Sequence, residues 1–215
     1  MPLWRPTPPQ LARLLPGLWI FGTGEACIVR ARLGNSPWTV LAQGVSKHSP
    51  LAIGSASVLI SFVVLLLWIP LRQWPGLGTV ANAVAVGLAI DAMLPVLPEP
   101  GGIIGRYGLV LAGIALVGIG SGLYLTAQLG HGPRDGLMTG LHYRTGRSLR
   151  LLRTLIEGSA LVTGFALGGR IGPGTVAFAA LVGPAVQASV RALGGLAQPA
   201  AAGGRDEARH ATVVD

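Results

Sequence analysis

The sequence has few charged residues, and this shortage excludes an ordinary soluble fold. Only 11% of its 215 residues are Asp, Glu, Lys or Arg, whereas soluble domains have about 25%. The hydrophobic share is 51%, and the mean hydropathy is +0.60. The chain therefore has too few charges to cover a soluble surface and enough apolar residues for several membrane spans.

Cysteine and catalytic groupings are scarce as well. The single cysteine, Cys27, lies in an apolar stretch, so the sequence has no disulfide framework and no cysteine metal site. The four histidines lack metal-ligand spacing, no serine or cysteine has a neighbouring base, and there is no phosphate-binding loop. We therefore expect no enzyme activity, no catalytic residues, no metal and no cofactor.

The formal net charge of +8 does not indicate a nucleic-acid-binding protein. Fifteen of the sixteen basic residues are arginine, and most lie at the ends of the apolar stretches. This distribution is typical of topology signals rather than of a phosphate-binding face. With the N-terminus inside, eleven basic residues fall in inner segments and five in outer ones. We therefore expect both termini in the cytoplasm and no nucleic-acid partner.

Six stretches have the length and composition of membrane-spanning helices, which need about 20 mostly apolar residues. Three carry no charge at all, at 51–71, 107–130 and 171–190. Three more are apolar apart from one acidic residue, at 14–29 with Glu25, 77–97 with Asp91 and 154–169 with Glu157. The sequence thus predicts an all-α polytopic membrane protein with about six transmembrane helices.

The chain also repeats itself at an offset of 96 residues. Residues 17–94 align with 113–190 without a gap and share 23 identities in 78 positions. Each copy holds three predicted spans, and this odd number means that the second copy enters the membrane from the opposite side. The sequence therefore predicts two inverted three-helix repeats, an arrangement that recurs in transporters and puts their sites near the repeat interface.

The repeat divides the chain into five segments. Residues 1–12 form an N-terminal cytoplasmic segment, 13–97 the first membrane repeat and 104–195 the second. A linker at 98–103, within a stretch rich in proline and glycine, joins the repeats. Residues 196–215 are polar and small, and this composition predicts a disordered cytoplasmic tail.

A short segment follows the first span of each repeat, and it is too polar and too short to cross a membrane. The segments at 34–48 and 130–144 each read as a short helix with proline at its first position. Two placements fit this pattern. An amphipathic helix would lie on the membrane surface, whereas a re-entrant half-helix would point its N-terminus into the protein.

Ionisable residues inside apolar spans are costly and usually face a protein interior or water. Glu25, Asp91, Arg153 and Glu157 are such residues, and their repeat partners are uncharged. Arg153 and Glu157 are four positions apart and can pair on one helix face. Glu25 has no local partner except Arg30, and a dry setting would suit it to proton coupling.

The turn at Pro133 suggests an anion site. Arg134 and Asp135 follow it directly, and a helix N-terminus with free N–H groups beside an arginine can bind an anion. As ordinary structural residues, Asp135 would stabilise the first helical turn and Arg134 would be an interfacial cation. The tentative substrate-binding residues are Glu25, Pro37, Trp38, Gln43, Asp91, Pro133, Arg134, Asp135, Arg153, Glu157 and Gln187.

These features favour a small secondary transporter or channel-like permease for a small, anionic or zwitterionic solute, with its pathway at the repeat interface. The alternative is an accessory or scaffolding membrane protein that acts through a partner protein and transports nothing. The permease predicts a water-accessible cavity, and the accessory protein predicts a fully packed interior. The expected partners are the lipid bilayer, a small solute, and a second copy of the chain or another membrane protein.

Four segments resemble the YczE/YitT-type family of bacterial integral membrane proteins, in particular its YczE branch. They are LGNSPWTVLAQGVS (33–46), GHGPRDGLMTGL (130–141), RTGRSLRLLRTLIE (144–157) and GPGTVAFAALVGPAVQ (172–187). The resemblance covers nearly the whole chain and implies the bacterial cytoplasmic membrane and the same duplicated architecture. It supplies neither an activity nor any catalytic or ligand residue.

Overall fold

The computed structural model describes residues 3–194, and this part of the chain is helical and contains no strand. The all-α prediction is therefore confirmed for the described residues, whereas the predicted tail at 196–215 lies outside them. The helices in this range are α1 (Pro8–Ala31), α2 (Pro37–Lys47), α3 (Ile53–Leu66), α4 (Trp68–Leu71), α5 (Leu77–Met93), α6 (Gly102–Thr126), α7 (Pro133–Thr145), α8 (Leu149–Ala166) and α9 (Pro173–Gly194).

Proline fixes where several helices begin. Helices α1, α2, α7 and α9 each begin at a proline, whose missing N–H would have no partner in a first turn anyway. At α1 the preceding Thr7 adds a capping interaction with Gln10, since the Gln10 side chain accepts hydrogen bonds from both the backbone and the hydroxyl of Thr7. Helix α1 thus begins within the predicted N-terminal segment 1–12.

Helices α1 and α6 form the centre of the molecule and meet through glycines. A Cβ atom on Gly24 would lie 2.6 Å from the carbonyl oxygen of Gly113, and one on Gly120 would lie 2.5 Å from that of Gly17. Contacts therefore run to lower numbers along α6 as they rise along α1, so the two helices are antiparallel. The absence of side chains lets the backbones approach closely, as at many membrane helix contacts.

The glycines with small-xxx-small spacing serve packing. Gly118 and Gly122 of α6 lie against Ala185 and Ser189 of α9, so these two helices run parallel. Gly164 and Gly168 have the same spacing, and Gly164 contacts the backbone of Leu41 on α2. These close approaches are the packing role that small residues four positions apart commonly have in membrane helices.

The two halves of the chain hold each other through matching loops. The backbone N–H of Gly78 donates to the carbonyl of Leu129 (2.8 Å), and that of Gly174 donates to the carbonyl of Leu33 (2.8 Å). These two bonds are related by the 96-residue offset, because positions 78 and 174 correspond, as do 33 and 129. The loop after α6 therefore packs on the start of α5, and the loop after α1 packs on the start of α9.

The short helices α2 and α7 are held between α3, α4 and α8. A buried cluster of Trp38, Val64, Trp68, Leu137 and Ala160 joins all five elements. Ser36 and Thr39 in the N-terminal turn of α2 are almost entirely buried. At α7, Gly132 and Pro133 are buried, Arg134 is half-buried and Asp135 is exposed.

The outer surface of the helices is apolar. Large hydrophobic side chains such as Ile69, Val162, Phe165 and Val176 are more than half exposed, as expected for a surface that lipid covers. By length and composition, three helical stretches can cross a membrane: Ile53–Leu71, Gly102–Thr126 and Pro173–Leu193. Leu77–Met93 is a shorter apolar helix. Six spans therefore remain a prediction.

Candidate functional site

A cavity of about 320 Å³ lies between the two halves, and we call it the main cavity because most of the predicted site residues line it. Both halves line it at matching positions, since eight pairs of lining residues stand 96 positions apart. The pairs are Phe21 and Val117, Ser36 and Gly132, Pro37 and Pro133, Trp38 and Arg134, Ser57 and Arg153, Ser61 and Glu157, Asn82 and Phe178, and Val86 and Val182.

The N-terminal turns of α2 and α7 face each other across this cavity. Pro37 and Pro133 occupy the first helical positions, and the next residues, Trp38 and Arg134, meet. The guanidinium carbon of Arg134 lies 5.1 Å from the centroid of the Trp38 ring, within the range of a cation–π interaction. The sequence offers Trp38 and Arg134 as separate candidates, and the fold brings them together.

A carboxylate already occupies the N-terminus of α2. Glu25 of α1 is fully buried, and its Oε2 accepts hydrogen bonds from Ser36 Oγ (2.8 Å) and Thr39 Oγ1 (2.7 Å). A negative charge is favourable there because it faces the positive end of the helix dipole. Its Oε1 has no hydrogen-bond partner among the described residues. Glu25 itself does not line the cavity.

A second carboxylate lies at the N-terminus of α7. It belongs to a residue of α7 itself, whereas the carboxylate at α2 comes from α1. Asp135 is in the first turn, and its Oδ2 accepts a hydrogen bond from the Tyr124 hydroxyl (3.2 Å). Position 135 corresponds to Thr39 in the first half of the chain. The two short helices therefore reach the same electrostatic arrangement through non-equivalent residues.

Arg134 is a cation on the cavity wall that contacts the Trp38 ring but forms no ion pair among the described residues. Its side chain is half-buried and lines the cavity, yet it has no ion pair and no hydrogen bond within residues 3–194. Burial disfavours its charge, and the carboxylates of Glu25, Asp135 and Glu157 offset part of that cost from a longer range. A guanidinium carries five N–H donors, so these donors are available to an anionic group inside the cavity.

The predicted pair of Arg153 and Glu157 is present on α8. Arg153 Nε and Glu157 Oε1 are 3.0 Å apart, and both residues line the cavity. The Arg153 side chain is 57% exposed, so the pair contributes at most about 1 kcal/mol to stability. The pair leaves the cavity wall polar at this point but largely neutral.

Asp91 and Gln43 lie outside the cavity, and other groups occupy their polar atoms. The Asp91 carboxylate accepts hydrogen bonds from the backbone N–H groups of Gly54 (2.6 Å) and Ser55 (2.8 Å), at the start of α3. Gln43 Oε1 accepts from the Arg170 backbone N–H (2.7 Å). Gln187, by contrast, lines the cavity as predicted.

Trp68 is a residue of the site that the sequence did not single out. Its indole Nε1 donates to the carbonyl of Pro133 (3.0 Å), and its ring packs against Gly136 of α7. The side chain is 4% exposed, so this bond fixes the start of α7 in a dry environment. The signal available in the sequence was weak, because Trp68 lies in an apolar stretch where any tryptophan fits.

Residues 3–194 hold no cluster of three or more His, Cys, Asp or Glu side chains that could bind a metal ion. The expectation that the protein is not an enzyme stays a prediction, as does the expectation that it needs no cofactor.

Apolar helices, an apolar exterior and polar groups gathered in an interior cavity define the chain as a helical membrane protein. The chain belongs to the family described as "Family of unknown function (DUF6198)", which matches residues 9–191. The resemblance to the YczE branch is thereby confirmed, because YczE is among the relatives.

Three bacterial relatives cover most of this chain. An uncharacterized protein of Haemophilus influenzae is 42% identical over 86% of this chain and 85% of its own length. The uncharacterized membrane protein YczE of Bacillus subtilis is 33% identical over 78% and 79%. The uncharacterized protein YyaS of the same organism is 30% identical over 74% and 82%. No solved structure matches the chain.

Proposed function

We propose that the protein is a small permease that moves a solute with an anionic group through the cavity between its two halves. The observation that carries this proposal is Arg134, a guanidinium on the wall of an interior cavity that stacks on Trp38 but makes no ion pair within residues 3–194. Ionisable groups at membrane depth are costly and usually mark a substrate or ion pathway.

Six spans in two inverted repeats give this permease its architecture. Helices α1 and α6 correspond under the 96-residue offset and pack antiparallel, as the Gly24–Gly113 and Gly17–Gly120 contacts indicate. Corresponding helices that run in opposite directions support an axis in the membrane plane. The reciprocal loop hydrogen bonds at Gly78 and Gly174 support the same relation.

The short helices α2 and α7 act as re-entrant half-helices in this permease. Their N-termini meet at the cavity rather than on an outer surface, and Ser36 and Trp38 are buried. Irregular backbone at membrane depth is tolerated where it is enclosed by protein or lines a water-filled cavity. The burial of these turns supports the re-entrant placement over the surface placement.

The solute combines an anionic group with a small apolar body. Arg134 would bind the anionic group, while Phe21, Trp38, Tyr124 and Phe178 supply aromatic walls. A cavity of about 320 Å³ is at the small end of the range for ligand sites. The Arg153–Glu157 pair and Gln187 would bind further polar groups of the solute.

Exposure differs between the two ends of the cavity, which suits alternating access. Asn35 and Thr39 are buried, whereas their counterparts His131 and Asp135 are exposed. The cavity therefore opens beside α7 and is closed beside α2. In the predicted orientation, which places both termini in the cytoplasm of a bacterial cell, this is an inward-open state.

Cysteine accessibility tests the permease in intact membranes. Cys27→Ala removes the only cysteine, and Ser61→Cys or Glu157→Cys places a thiol at corresponding positions of the cavity wall. We expect both to react with a membrane-impermeant thiol reagent. Ala56→Cys on α3 is the control, because Ala56 is fully buried and does not line the cavity.

The charge of the reagent tests the role of Arg134. In the Ser61→Cys protein, which keeps the Arg153–Glu157 pair intact, an anionic sulfonate reagent should react faster than a cationic ammonium reagent of similar size, because a local positive potential concentrates anions. Arg134→Gln should remove this preference. Equal rates before and after the substitution would contradict an anion-binding cavity, and no labelling at either position would favour the accessory protein with a packed interior.

A further inference from the structure

A second cavity lies at the opposite end of the molecule from the opening beside α7. It has a volume of about 380 Å³ and is placed where α1 and α5 end and α9 begins. Three arginines from two separate parts of the chain line it, namely Arg30, Arg32 and Arg170. We call it the arginine cavity.

Positive charge in the arginine cavity is only partly neutralised. Glu99 contacts both Arg30 (3.0 Å) and Arg32 (3.5 Å) through the same Oε1 atom, and its side chain is 58% exposed. The Arg170 side chain has no ion pair within residues 3–194. Asp91 lies one turn before the lining residue Leu94, but the backbone N–H groups of α3 occupy its carboxylate.

Two residues that line this cavity also have a buried polar atom without a partner in the described part of the chain. Arg30 Nε and Asn35 Oδ1 are buried, and neither has a hydrogen-bond partner within the described residues. Both residues line the arginine cavity, and Asn35 is only 1% exposed. Buried polar atoms without partners are uncommon in folded proteins, and such atoms commonly mark the place of a ligand or an ordered water.

The rim of the arginine cavity is held in place before any ligand binds. Gln43 Oε1 accepts hydrogen bonds from Asn35 Nδ2 (3.0 Å) and from the Arg170 backbone N–H (2.7 Å). The Asn35 backbone N–H in turn donates to the carbonyl of Arg170 (3.2 Å). These bonds fix the loop that carries Arg170 against the start of α2, so the backbone at Arg170 needs no further ordering when a ligand binds.

The arginines are not a by-product of the repeat. Their counterparts in the other half are Thr126, Gln128 and Trp74, none of which is charged. In the predicted orientation the arginine cavity faces away from the cytoplasm, where the positive-inside rule disfavours basic residues. A role other than membrane topology therefore has to account for three arginines at this end.

We propose that the arginine cavity binds a phosphate group. Guanidinium groups bind phosphate through paired, charge-assisted hydrogen bonds, and three of them from two chain segments can surround one phosphate. The phosphate comes either from the headgroup of an anionic phospholipid or from a free phosphate ion or ester. The site is separate from the main cavity and does not depend on the proposed transport.

Thermal unfolding of the purified, delipidated full-length protein in detergent tests this site. Inorganic phosphate and phosphatidylglycerol micelles are added separately, with chloride at matched ionic strength and phosphatidylcholine micelles as blanks. A ligand that binds only the folded state raises the unfolding temperature in a saturable way. A rise with inorganic phosphate identifies a free anion as the ligand source, and a rise with phosphatidylglycerol alone identifies the lipid headgroup.

Four variants distinguish the arginine cavity from general charge effects. Arg30→Gln and Arg170→Gln should each weaken the apparent affinity about tenfold or more, the loss expected for one charge-assisted hydrogen bond. Arg106→Gln should bind as the wild type does, because Arg106 does not line the cavity. Glu99→Gln should bind more tightly, because it removes the competing carboxylate, and this gain cannot result from misfolding.

Three results would overturn the phosphate site. The first is that neither inorganic phosphate nor phosphatidylglycerol binds in a saturable way. The second is that Arg30→Gln and Arg170→Gln bind with unchanged affinity. The third is that Arg106→Gln loses as much affinity as these two variants do. None of these results bears on the main cavity, because the labelling of Ser61→Cys and Glu157→Cys is a separate measurement.

Discussion

At the scale of single residues, corresponding positions in the two halves carry different chemistry. Trp38 and Arg134 occupy the same place in the repeat and meet in the cavity. An aromatic ring in one half thus faces a cation in the other, which two identical copies could not provide. Divergence at this pair, as at Ser57/Arg153 and Ser61/Glu157, puts the charged residues of the cavity wall in the second half of the chain.

Glu25 and Asp135 change how the anion site should be understood. Both short helices have a carboxylate at their N-terminus, supplied by α1 in one case and by the helix itself in the other. The positive ends of the helix dipoles are therefore already compensated. Arg134, rather than the helix N-termini, is then the group that would attract an anionic solute.

Trp68→Phe should destabilise the fold by about 1 kcal/mol, the usual net value of one buried hydrogen bond. The substitution keeps an aromatic ring but removes the bond from Nε1 to the carbonyl of Pro133. Thermal unfolding in detergent measures the loss. Trp74→Phe is the matched control, because Trp74 is 88% exposed. Equal unfolding temperatures for both variants would show that the bond does not hold α7.

At the scale of helices, Asp91 has a structural task that the sequence could not reveal. Its carboxylate caps the N-terminus of α3 from α5, through Gly54 and Ser55. The sequence alone places Asp91 in an apolar helix, which suggests a substrate pathway. It does not show that the start of α3 packs beside this residue. The nearby helix start explains why the charge is tolerated there.

Asp91→Ala should lower stability by about 1–2 kcal/mol, the typical cost of losing a capping side chain. The substitution leaves two backbone N–H groups at the start of α3 without their acceptor. Thermal unfolding again provides the measurement. Gln187→Ala, at the corresponding position of the other half, should unfold at a higher temperature than Asp91→Ala. The reverse order would indicate that Asp91 does not cap α3.

Glycines on α6 allow a direct test of the central helix contact. Gly113→Ala should destabilise the protein by about 1–3 kcal/mol, the usual cost of overpacking, because its Cβ atom would lie 2.6 Å from the carbonyl oxygen of Gly24. Gly108→Ala is the control on the same helix, since a Cβ atom there meets nothing within 4 Å. The control should leave the unfolding temperature unchanged or slightly raise it.

At the scale of the whole molecule, the proposed topology places the two short helices on opposite sides of the membrane. In a Cys27→Ala background, His48→Cys should react with an impermeant thiol reagent from the outside. Arg147→Cys should react only in inside-out vesicles. Both positions are exposed, so access to the reagent is not limited by burial. Reaction of both from the same side would contradict the inverted arrangement.

Much of the architecture follows from the sequence alone. The lack of charge and the long apolar stretches predict a helical membrane protein, because backbone groups in lipid must be satisfied within the helix. The helical class was confirmed in the described residues, and the family assignment was confirmed by relatives that include the membrane protein YczE. Gly118 and Gly122 have a spacing typical of helix contacts, and in the structure they pack against α9.

Only the tertiary structure decided which polar residues share a site. Arg134, Glu157 and Gln187 line one cavity, while Asp91 and Gln43 bind backbone groups elsewhere. The sequence specifies which residues are polar within each helix through local composition. It does not specify their partners, because those depend on how helices far apart in the chain cross and how deeply each turn is buried.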